Sequence, residues 1–177
     1  METMQAILSR KSVRSYTGKK ISKDALNTIL KAAKAAPVGL GRYEAMHLTV
    51  IKNPRLLEAL EENMRAVFKN PKASAFYGAP ELVLVSGKAA GDAPGNTDYS
   101  NAAVMVENMA LAAVGLGVGC CHIWGAVMAL DANPELVKKL ELPEGFTPLC
   151  AIALGESQEV YRERHIPEER ISVQTIE

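Results

Sequence analysis

The chain has 177 residues, with 20 basic and 20 acidic side chains and no formal net charge. That balance leaves no basic footprint for nucleic acid and no acidic tail. The length suits one domain over residues 1–177, able to bury a sizeable core, and three cysteines in apolar runs argue against a disulfide framework and for a reducing, cytoplasmic setting.

No long apolar run of a secretory signal opens the chain. From Thr3 to Ser9, Met4, Ile7 and Leu8 have the spacing of one helix face. Arg10-Lys11-Ser12-Val13-Arg14 follows, either a solvated surface or an anion site, since Arg forks and Ser hydroxyls suit phosphate oxygens. Ser22 reads as the N-cap of an amphipathic helix to about Ala35, which Pro37 ends. The loop Pro37–Tyr43 contains Gly39 and Gly41, which suit a plain connection or a close approach to a ligand. Met46–Lys52 is a β-branched strand, and Asn53-Pro54 opens a helix with Leu56, Leu57, Leu60, Met64 and Val67 on its face. Lys69–Tyr77 reads as a surface loop flanked by Phe68, Phe76 and Tyr77. Pro80 precedes a strand at Leu82–Ser86, and a Gly/Ala/Pro-rich loop runs from Gly87 to Asn96.

The stretch Asp98–Gly125 organises the rest. Between Ala102 and Val114 only Glu107 and Asn108 are polar, so a helix here must be covered all round, by the core or by a partner chain. It breaks at Gly115, Gly117 and Gly119, and Val118–Trp124 reads as a buried strand ending at Gly125. The glycines do not form a dinucleotide fingerprint, because they follow a helix and open a strand. Cys120-Cys121-His122 cannot converge on one metal ion from a strand whose side chains alternate. Asn133-Pro134 opens a short helix to about Leu140, and Leu149–Leu154 is another buried strand. A charged tail from Glu156 ends in the β-prone run Ile171–Ile176, which is either disordered or adds a strand to a partner's sheet edge. The sum is α/β, with about four strands and helices between them. No acid–base set is evident, so a bound cofactor is expected to carry the chemistry.

The whole chain resembles the FMN-dependent nitroreductase family, its shorter members in particular. Arg10-Lys11-Ser12-Val13-Arg14 is similar to that family's R-x-S-x-[RK] signature, with Tyr16 where an aromatic is usual. Ala35-Ala36-Pro37, Gly78-Ala79-Pro80, Asn108 to Ala113, Gly115-Leu116-Gly117, Ile123-Trp124-Gly125, Gly155 and Arg162-Glu163-Arg164 follow in the family's order. The resemblance implies a nitroreductase-like fold with a central mixed sheet flanked by helices. It implies an intertwined homodimer in which the tail, residues 156–177, embraces the partner. It also implies that FMN takes hydride from NADH or NADPH and passes electrons to a nitroaromatic, quinone or similar acceptor.

On the same ground Arg10 and Ser12 would hold the FMN phosphate with Lys11 nearby, completed by Arg162 and Arg164. Arg14 would meet the N1/O2 edge of the flavin ring. Ile123, Trp124 and Gly125 would lie along the ring, and Pro37, Val38 and Gly39 would come from the other chain. No side chain is expected to act as the catalytic group, and no metal is implied. Where many members carry N-x-Q-P-W, this chain has Gly41 to Met46, GRYEAM. That departure keeps open a flavin-binding or storage protein without reductase activity.

Overall fold

The computed structural model describes residues 1–177. Helix α1 covers Thr3–Ser9 and α2 covers Lys23–Lys34, its first turn closed by Ser22 Oγ accepting from the Ala25 N–H at 3.1 Å. Strand β1 is Met46–Ile51. Helix α3, Pro54–Val67, starts on Asn53, whose side chain accepts from the Arg55 N–H at 3.0 Å. Strand β2 is Glu81–Lys88, α4 is Asn96–Gly115 and β3 is Gly119–Ile123. Helices α5, Gly125–Met128, and α6, Pro134–Lys138, precede β4, Phe146–Gly155. No helix is long and apolar enough to cross a membrane.

Helix α4 begins at Asn96, where the glycine-rich loop was expected to lead into it, and the Asp98 carboxylate, accepting the Gly95 N–H at 2.8 Å, closes its first turn. One stretch is more helical than the sequence suggested. The connector after Gly125 coils into α5 and a 3-10 turn at Ala129–Ala132.

The strands are ordered β1-β2-β4-β3 and every pairing is antiparallel. The expectation of a mixed sheet is therefore corrected for this chain. The reason lies in the segment after α3. A helix between two strands ordinarily returns the chain for a parallel pairing. Here the residues after α3 double back along it. Arg65 Nε donates to Ala73 O at 2.7 Å, and Glu61 Oε1 accepts from Ser74 Oγ at 2.8 Å and the Ala75 N–H at 2.7 Å. The chain reaches β2 from the opposite end. Phe76 is buried on this return, while Phe68 and Tyr77 stay partly exposed.

Alternation along the strands divides the core in two. Val83, Val85, Cys120, Ile152 and Leu154 pack under α1, α2 and α4. Leu82, Leu84, Cys121, Ala151 and Ala153 face α3, α5 and the turns that follow. Cys120 and Cys121 thus lie on opposite faces, as their adjacency on a strand requires. Helix α4 buries Val106, Met109, Ala110 and Ala113, but its other side, with Ala103 and Val104, is exposed in the single chain. It ends as the glycines indicated. Gly117 takes φ +69°, and the Val118 N–H returns to Ala113 O at 2.9 Å. The run Ile171–Ile176 forms no strand within the chain and is exposed.

Candidate functional site

Strand β3 pairs with β4 on one side only, and its open edge receives the segment after α1. The Val13 N–H donates to Cys120 O at 2.8 Å, and the Val13 side chain is fully buried. This anchors Arg10–Arg14 along β3. Tyr16 then lies over Gly119 and Gly155, which face each other across β3 and β4. A Cβ at Gly119 would come 3.1 Å from Tyr16 Cε1, and one at Gly155 would come 3.0 Å from Tyr16 Cδ1 and 2.6 Å from Pro80 Cδ. Glycine at both positions is what admits the ring.

Residues after β4 hold the segment from its other side. Ser157 Oγ donates to Ser15 O at 2.7 Å. The Glu159 carboxylate accepts the Arg14 N–H at 3.0 Å and pairs with Lys11 Nζ at 2.8 Å. Lys11 and that N–H hold the Glu159 carboxyl below the usual carboxylate range. The Tyr161 hydroxyl donates to Val118 O at 2.8 Å and accepts the Cys120 N–H at 3.2 Å, satisfying edge groups of β3. Burial pushes both the Tyr16 and Tyr161 hydroxyls above the ordinary phenol range.

The predicted cations are displayed on this strip. Arg10 Nε stands 3.3 Å from Glu107 Oε1 of α4, whose Oε2 meets His122 Nε2 of β3 at 3.0 Å. Ser12 reaches toward Cys121. The exposed Arg14 guanidinium lies 5.7 Å from the centroid of the Tyr77 ring, a cation–π distance. Arg162 is exposed. Arg164 is otherwise engaged: its Nε donates to Leu8 O at 2.9 Å and a terminal nitrogen to Ile7 O at 3.4 Å, capping the C-terminus of α1.

At the exit of β3, Ile123 is buried while the Trp124 side chain turns outward, 49% exposed, with its ring 5.6 Å from that of Tyr99. Gly125 borders Phe68, whose ring would lie 3.5 Å from a Cβ there. Trp124 and Tyr99 thus meet beside the strand end, and Phe68 borders the glycine that follows. Pro37, Val38 and Gly39 are not at this place. The Gly39 N–H donates to Asn101 Oδ1 at 3.0 Å, and a Cβ on Gly39 would meet Thr97 Cγ2 at 2.9 Å. The loop therefore packs on the N-terminal half of α4. Asn101 is roughly 9 Å along the helix axis from Glu107 at 1.5 Å per residue. One chain does not bring the loop to the cation strip.

The core thiols offer no nucleophile. Burial pushes Cys120 and Cys150 up to about 11 and raises Cys121 as well. No group of His, Cys, Asp and Glu is arranged to hold a metal ion. The residues that sequence reasoning missed are the partners: Glu107 with His122, Glu159 and Tyr161. The one signal available was Glu107, a charge inside an otherwise apolar helix.

The fold is an antiparallel sheet between two helical layers, with Arg, Lys and Ser strung along its open edge. The chain belongs to the Nitroreductase family, whose sequence profile matches residues 7–156. It is 28% identical over 164 residues to an FMN reductase (NADPH) of Bacillus subtilis, covering 86% of this chain and 65% of that protein. The chain thus spans about two thirds of that relative's length. The fold superposes on a nitroreductase with bound FMN from Bacteroides fragilis, with a TM-score of 0.82, 30% identity, and coverage of 99% of this chain and 100% of that one. A nitroreductase with bound FMN from Desulfitobacterium hafniense gives a TM-score of 0.83 at 24% identity, with the same coverage.

Proposed function

We propose that this protein is an FMN-dependent oxidoreductase. It takes electrons from NADH or NADPH and delivers them to a nitroaromatic, a quinone or a similar small acceptor. It acts as a cytoplasmic homodimer of single-domain chains, with the tail laid on the partner. The observation that carries this reading is the cation strip Arg10–Arg14, pinned beside the end of β3 in a chain of this family.

The residues fit the cofactor. The terminal nitrogens of Arg10 make no hydrogen bond within the chain, Ser12 stands close by, Lys11 would turn to it from Glu159, and Arg14 is an exposed fixed charge. A phosphomonoester carries about −1.5 to −2 charges near neutral pH, and such a cluster offsets them. Arg10, Lys11 and Ser12 would bind the phosphate, with Arg162 free to join them. Arg164 would contribute only by leaving the α1 carbonyls. Arg14 would face the ring, and Ile123, Trp124 and Gly125 would flank it, with Gly125 allowing close approach. Pro37, Val38 and Gly39 would reach the ring of the partner's site, which accounts for their distance from the strip in one chain. Bound FMN would supply the two-electron transfer between donor and acceptor. The chain's part is to bind, orient and balance charge, with Arg14 stabilising negative charge on the ring.

The test is a fluorescence titration with FMN and with riboflavin, which lacks the phosphate. Arg10→Ala is expected to weaken FMN by about tenfold or more, the loss of one charge-assisted hydrogen bond, with little effect on riboflavin. Equal binding of FMN by the variant and the parent would refute the assignment of the strip.

A further inference from the structure

We infer that Glu107 is a positioning residue that sets the orientation of Arg10 for phosphate. This rests on the reading of the strip as the FMN phosphate site. Glu107 is one of two polar side chains in an otherwise apolar stretch of α4, Ala102–Val114. It does not stand free in solvent. Its carboxylate lies between two basic side chains: Oε1 is 3.3 Å from Arg10 Nε, and Oε2 is 3.0 Å from His122 Nε2.

Those two partners come from separate elements, the segment after α1 and strand β3. His122 is the single exposed side chain of β3, and it is turned onto Glu107. The three side chains are 26%, 42% and 36% exposed for Arg10, Glu107 and His122. An ion pair so placed adds little to stability, about 0–1 kcal/mol. Its geometry is the informative part. The guanidinium nitrogen of Arg10 nearest Glu107 is Nε, and the fork of terminal nitrogens, which suits carboxylates and phosphates best, makes no hydrogen bond within the chain. The fork is left free. His122 stands at the other carboxylate oxygen, so the row of side chains runs from β3 through Glu107 to Arg10 and ends at the terminal donors of the guanidinium.

Holding Arg10 this way removes the rotamer freedom that a phosphate would otherwise have to freeze. Ordering one such side chain in advance is worth about a three- to tenfold gain in affinity. The gain is confined to ligands that carry the phosphate, because Arg10 has no other part in the site.

The experiment is a titration of the full-length protein and of Glu107→Gln and Glu107→Ala, each with FMN and with riboflavin. Glu107→Gln keeps an oxygen for Arg10 Nε and is expected to bind FMN within about twofold of the parent. Glu107→Ala is expected to lose about three- to tenfold for FMN and nothing for riboflavin. Unchanged or tighter FMN binding by Glu107→Ala would overturn the inference and make Glu107 a bystander or a competitor of the phosphate. An equal loss for FMN and riboflavin would also overturn it, as a structural effect. Failure of the parent itself to bind FMN would instead refute the reading on which the inference rests.

Discussion

Tyr161→Phe removes one oxygen and tests how the tail secures the edge of the sheet. The hydroxyl serves two backbone groups of the β3 region, Val118 C=O at 2.8 Å and Cys120 N–H at 3.2 Å. Phenylalanine fills the same space and leaves both without that partner. An unsatisfied buried polar group costs about 1–3 kcal/mol. Cys120 and Val118 are both buried, and the lower half of that range applies because the tyrosine itself is only partly covered. A loss of about 1–2 kcal/mol in a domain of this size lowers the melting temperature by about 2–8 °C. The assay is a circular dichroism melt of both proteins at one concentration of protein and of FMN, since ligand and subunit binding shift Tm by mass action. Tyr16→Phe is the internal control. Its hydroxyl makes one long bond, 3.4 Å to Ala153 O in the central strand β4, so its removal should lower Tm by less than half as much. The reasoning is refuted if Tyr161→Phe melts with the parent, or no lower than Tyr16→Phe.

Gly155→Ala places a Cβ 2.6 Å from Pro80 Cδ, an unyielding ring atom, so it should cost about 1–3 kcal/mol, read as a lower urea midpoint with an unchanged slope. All three thiols are buried with raised pKa values, so Ellman's reagent at pH 8 should label none rapidly in the native protein and all three after unfolding. The carboxyl of Glu159 titrates below its unfolded value, so its contribution to stability is present above the usual carboxylate range and is lost as pH falls through the lowered pKa. The Tm difference between the parent and Glu159→Gln should therefore hold steady above the usual carboxylate range and shrink toward zero as pH falls through the lowered pKa. An undiminished difference at the acid end would show that the Lys11 and Arg14 contacts do not carry it.

Much of the architecture was legible because local signals agreed. Caps at Ser22, Asn53 and Asn133 and the glycine stop after α4 marked the helix ends, and β-branched runs marked the strands. The antiparallel arrangement was not legible. It depends on the return along α3, which is fixed by Glu61 and Arg65, two side chains that look like any solvated helix charges. At the site, Arg10, Lys11, Ser12 and Arg14 stood out as charges beside a short apolar helix. Their counterparts did not, since Glu107 lies 97 positions away from Arg10 and Glu159 lies 148 away from Lys11 in the chain, and no periodicity links them. The second basic residue of the tail pair, Arg164, matched the pattern of the family and is used by the chain to cap α1.

The most direct test of the central claim is the visible absorption spectrum of the purified protein, before and after anaerobic addition of NADH or NADPH. The purified protein is expected to be yellow, with flavin bands that bleach on addition of one or both donors and return with an acceptor. A colourless protein whose spectrum is unchanged by added FMN would contradict it.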